Sequence, residues 1–99
     1  MKEIFHPAAE QDISEAASFY EKEASAALAA RFVAEIKRVV RLLLEHPDIG
    51  TPRTNGRQFF PLKVFPYGLI YRSNKDGIFI LVVRRHRQRP GYGASRRVA

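Results

Sequence analysis

Apolar residues recur at helical spacing through the first half of the chain and at strand spacing through the second. Between Ala8 and about Glu23 the positions Ala9, Ile13, Ala16, Ala17 and Tyr20 fall on one helical stripe. Pro7 suits the first helical position, where a missing N–H costs nothing. Ser25 is a candidate N-cap for a second helix running to about His46, with Leu28, Phe32, Ile36, Val39, Val40 and Leu43 on its apolar face and Pro47 at its end. The short link predicts an antiparallel helical hairpin, and the many alanines let its helices approach closely.

Ahead of the hairpin, Glu3–His6 reads as a short strand. After it, residues 47–56, "PDIGTPRTNG", read as a loop. Arg57–Val64 predicts a strand in which Pro61 favours an edge or a bulge. Phe65-Pro66-Tyr67 reads as a turn, Gly68–Ser73 as a strand, and Asn74-Lys75-Asp76-Gly77 as a tight hairpin turn. Ile78–Val83 is continuously apolar, as expected of a central strand. The expected fold is α+β with order β-α-α-β-β-β: a helical hairpin on one face of a four-stranded, mainly antiparallel sheet. Two helices of about 30 Å or less cover only one face, so the other is expected to meet water or a partner. By strand alternation, Tyr67, Leu69 and Tyr71 share one face, and Gly68, Ile70 and Arg72 the other.

Charge sharpens this picture. Residues 1–48 carry six Lys/Arg against nine Asp/Glu, a net of −3, whereas residues 49–99 carry eleven against one, a net of +10. A surface so cationic attracts nucleic acid or an acidic protein. Ninety-nine residues make one expected domain, 1–99, with a basic tail from about position 88. No cysteine is present, which removes disulfides and thiolate metal sites and fits the cytosol. Signal-peptide and membrane-spanning runs are absent from the sequence, so a soluble cytoplasmic protein is expected.

Candidate chemistry is sparse. No phosphate loop, dinucleotide fingerprint or metal-ligand spacing occurs, so neither cofactor nor metal is expected. His6 and His46 lie beside prolines at helix ends and read as capping or exposed residues. The stretch "LVVRRHRQRPGY" at 81–92 is denser: four arginines and a histidine fall within Arg84–Arg89. A histidine among arginines could move a proton while the arginines clamp a phosphate. The plainer reading has His86 hydrogen-bonding at the sheet's end.

Three segments, "FHPAAEQDISEAASFYE" at 5–21, "FPYGLIYR" at 65–72 and "VVRRHRQRPGY" at 82–92, together resemble the RelE/ParE superfamily of toxins from type II toxin–antitoxin modules. The Phe-Pro-Tyr segment and the His-x-x-Arg ending look most like the ParE branch, often called plasmid stabilisation proteins. That resemblance implies a toxin that inhibits DNA gyrase by binding and is neutralised by a small cognate antitoxin, ParD-like or similar, with an acidic and apolar C-terminal segment. The residues implied in antitoxin or target binding are Ile70, Arg72, Arg84, Arg85, Arg87, Arg89, Tyr92 and Arg96. RelE-like members instead cut mRNA on the ribosome; a reading of that kind would use Arg57, Lys63, Arg85 and His86. Those members typically carry an arginine where this chain has Gly68, and an aromatic where it has Arg87. The ParE-like ending often reads Tyr-Trp, against Tyr92-Gly93 here. A third reading is an RNA-binding domain using the basic half, with Tyr92 for stacking.

Overall fold

A computed structural model describes residues 2–98. The strand β1 (Lys2–Phe5) ends where His6 turns its imidazole to the helix start: its Nδ1 accepts the Ala8 N–H at 3.0 Å. Helix α1 (Pro7–Glu23) follows, with Pro7 in its first turn as expected. Ser25 Oγ accepts the Leu28 N–H at 3.0 Å and starts α2 (Ala26–Glu45), which His46 closes. Both histidines beside prolines are therefore helix caps.

The second half supplies β2 (Thr51–Pro52), a 3-10 turn (Thr54–Gly56), β3 (Gln58–Pro61), β4 (Tyr67–Asn74) and β5 (Gly77–Arg85). The sheet runs β1-β5-β4-β3-β2, with β1 parallel to β5 and every other pair antiparallel. The expected loop thus holds a fifth strand. Asn55 and Gly56, both at positive φ, reverse the chain there, and the Arg53 N–H meets the Arg57 carbonyl at 2.7 Å. Pro61 ends β3 beyond the reach of β2, where its missing N–H leaves no ladder bond unmade.

The main core lies between the helices and one sheet face, joining Phe32, Ile36, Val39 and Leu43 to Leu69, Tyr71, Ile78, Ile80 and Val83. Each such side chain contributes about 1.5–3 kcal/mol on full burial. Tyr20, Phe32, Phe65 and Tyr67 form an aromatic knot with centroid separations of 5.1–6.2 Å. The Tyr71 hydroxyl donates to the Pro47 carbonyl at 2.8 Å and accepts from the Gly50 N–H at 3.0 Å, anchoring the loop after α2.

The apolar run of β5 hides a bulge. Ile80 pairs with Tyr71 and Val82 with Ile70, leaving Leu81 without a partner. The extra residue resets the alternation. Ile80 and Val83 therefore both face the helices, while Leu81 and Val82 join Ile70 on the opposite face.

That opposite face departs from expectation. It was expected to be open, but the chain's own end folds across it: Tyr92 and Val98 pack with Phe59 on Ile70, Leu81 and Val82. A continuous β5 run can be apolar on both sides because the tail removes the second side from water.

Candidate functional site

Where β1 leaves the sheet, β5 keeps an unpaired edge. Asp12 and Arg96 close it: Asp12 accepts the Val83 N–H at 3.0 Å, and Arg96 donates to the Leu81 carbonyl at 3.0 Å. The two side chains also pair, with Arg96 on both carboxylate oxygens of Asp12 at 2.6 and 3.3 Å. The Tyr92 hydroxyl donates to the same carboxylate, and the Arg96 guanidinium stands over the Tyr92 ring at 5.0 Å. The bond to Asp12 is the main cause that raises the Arg96 pKa, and likewise that of Tyr92. Asp12 is the buried charged residue of the described chain. Its sequence signal was a polar residue set between Ala9 and Ala16 on the buried stripe of α1.

Arg57 fastens the same tail from the other side. Its guanidinium donates to the carbonyls of Gly93, Ala94 and Arg96 at 2.6–3.1 Å. Burial first, then the charges of Arg72 and Arg96, pull its pKa down from the ordinary guanidinium value. Gly93 lies at φ 76°, and a Cβ there would stand 2.5 Å from a Val82 methyl. The residue after Tyr92 thus bears no side chain because the strap runs flush against β5.

Beside the strap lies a hollow of about 370 Å³ lined by Arg53, Phe59, Arg84, Arg85, His86, Pro90 and Gly91. Phe59 forms its wall, with the Arg53 guanidinium 4.7 Å from the ring centroid and the His86 ring centroid 6.5 Å away. Phe59 lies there because of Gly68. A Cβ at Gly68 would stand 2.4 Å from two Phe59 ring carbons. Arg84 donates to the Gln88 carbonyl at 2.6 Å, which shapes the turn after β5, and the His86 N–H meets the Pro66 carbonyl at 2.9 Å.

The expected site residues therefore divide. Arg84, Arg85 and His86 come together at the hollow, while Arg87 and Arg89 stand exposed on the turn beside it. Ile70 is 5% exposed beneath Phe59 and the tail, and Tyr92 and Arg96 are engaged by Asp12. Arg72 is exposed, near Gly56. The four residues of the ribonuclease reading are not gathered: Arg57 binds the tail, and Lys63 sits in the β3–β4 turn, its N–H on Glu35 at 2.7 Å. Arg53 and Phe59 escaped the sequence reading, since only the β2–β3 pairing and Gly68 bring them to the end of β5.

A separate apolar groove runs between β1 and the helices, lined by Phe5, Ile13, Val33, Ile36, Val40 and Leu44, with Glu3, Lys37 and Arg41 at its rim. Among the described residues no cluster suits a metal ion, and no helix is long and apolar enough to cross a membrane.

No curated protein matches the chain. A solved structure described as the chromosomal ParDE TA system from P. aeruginosa matches with a TM-score of 0.76 at 20% identity, covering 86% of this chain and 95% of that one. At that identity the likeness is one of fold, and it includes the hairpin-on-sheet arrangement. The family model described as the ParE toxin of the type II toxin–antitoxin system, parDE, matches residues 4–90. The chain belongs to the ParE toxin family of type II toxin–antitoxin systems.

Proposed function

We propose that this toxin acts in the cytoplasm by binding DNA gyrase, and that a small antitoxin silences it. The observation that carries the antitoxin half is the apolar groove beside β1, whose rim carries Lys37 and Arg41 on the α2 side and Glu3 on the β1 side. An amphipathic segment with apolar anchors and scattered acids fits such a groove, and β1 is an edge strand beside it. Arg87 and Arg89, exposed after β5, add long-range attraction for an acidic partner.

Action by binding rather than by RNA cleavage is supported by the Phe59 ring over Gly68, the position where ribonuclease-like members carry an arginine. Expression of the toxin alone should arrest bacterial growth with inhibited gyrase supercoiling and intact mRNA, and co-expression of the small partner should relieve it. Growth arrest with cleaved mRNA and normal supercoiling would replace gyrase by the ribosome as target. Normal growth at confirmed soluble expression would remove the toxin reading itself.

A further inference from the structure

The hollow at the end of β5 gathers three guanidinium groups that no ion pair among the described residues neutralises. Arg53 arrives from the β2 turn, Arg84 and Arg85 from β5, and His86 from the turn after it. No acidic residue lines the hollow. Among the described residues, the ion pairs are Arg38–Glu35 and Arg96–Asp12, and neither belongs to it. Asp76, the only acid after Asp48, sits at the opposite end of the β4–β5 hairpin, about 26 Å away along nine residues of strand. Like charges held together without a counter-ion repel, and a bound anion relieves that repulsion.

The wall says which anion. Phe59 with the Arg53 guanidinium over it offers a flat face on which a base stacks, while the neighbouring cations take the backbone charge. The volume lies in the range of small-ligand clefts, about 300–1,000 Å³, and admits a nucleotide unit rather than a duplex. We infer that Arg53, Phe59, Arg84, Arg85 and His86 form a binding site for the phosphodiester backbone of a single-stranded nucleic acid. The site stands whichever protein the toxin poisons and whichever antitoxin silences it. It requires no cleavage.

Fluorescence anisotropy of the purified full chain with labelled twelve-mers of thymidylate and of uridylate tests this. Both oligomers carry the backbone, so both should bind. Contact with three phosphates gives a salt slope of about −2, or roughly 15-fold weaker binding from 50 to 200 mM salt. Arg53→Ala and Arg85→Ala, both at exposed side chains, should each weaken binding about tenfold at low salt and flatten the slope by about 0.7. Lys75→Ala removes the same charge from the far end of the hairpin and should change affinity less than about twofold. Equal losses in all three variants would mean diffuse attraction and overturn the site. So would displacement of the oligomers by an equimolar polyglutamate peptide of equal charge, or equal affinity for a duplex of the same length.

Discussion

Arg96 reaches back across 84 positions to grip Asp12 at 2.6 Å, and together they finish the edge of β5 that β1 abandons. The pair is buried, with the Asp12 side chain 5% and the Arg96 side chain 14% exposed. Removing one partner of such a pair leaves a buried charge alone, at a cost of about 3–5 kcal/mol. Arg96→Ala should therefore lower the unfolding free energy measured in urea by that much, and Arg96→Lys by less, since it keeps the charge although a single ammonium cannot hold both carboxylate oxygens. A loss under about 1 kcal/mol for Arg96→Ala would mean the strap is not fastened here.

Gly68 and Phe59 should behave as one unit. Gly68→Ala pushes a methyl into the Phe59 ring, with the Phe60 carbonyl at 3.2 Å leaving no other room. Overpacking of this kind costs about 1–3 kcal/mol. In the Gly68→Ala/Phe59→Ala pair the second change removes the clash, so the two costs should fall short of additivity by about 0.5 kcal/mol or more. Thermal denaturation of the four proteins measures it. Additive losses would place the ring elsewhere.

Val64 is a β-branched residue at φ 72°, with the Phe65 N–H bonded to the Lys63 carbonyl at 2.8 Å, and it is 84% exposed. A tight turn of this sign strains any residue with a branched Cβ. Val64→Gly should raise stability by about 1 kcal/mol, because relief of strain exceeds the entropy glycine loses on folding and no packing is given up. A lower melting temperature in Val64→Gly would contradict the strained turn.

The β3–β4 turn should also loosen in acid. Glu35 has its carboxyl held below the ordinary carboxylate range, chiefly by the Arg38 guanidinium and further by the Lys63 N–H, against opposing burial. A carboxyl with a lowered folded-state pKa contributes stability above its unfolded value and loses it as pH falls through the folded one. The stability gap between wild type and Glu35→Gln should thus be present near neutrality and close as pH drops below the usual carboxylate range. Denaturant melts of both proteins across that interval show it, and a gap that persists unchanged in strong acid would detach Glu35 from this role.

Local patterns determined much of this molecule. Pro7, Ser25 and Pro47 mark helix limits, and the Ala9-to-Tyr20 and Leu28-to-Leu43 stripes name the faces that become core. Alternation alone put Tyr67, Leu69 and Tyr71 on one face and Ile70 on the other, because a helix stripe and a strand pleat are repeats of neighbouring residues. The family, too, was legible from three ordered segments. Tertiary structure decided what those repeats cannot encode. The bulge at Leu81 depends on the length of β5 measured against β4, and the closure of the second face depends on Arg57 and Asp12 finding a tail 36 to 84 residues away. Arg53 and Phe59 reach the cationic hollow only through strand pairing and the bare backbone of Gly68. Contacts between distant segments are set by the register and close approach of whole elements, and neither is written in any local window of the chain.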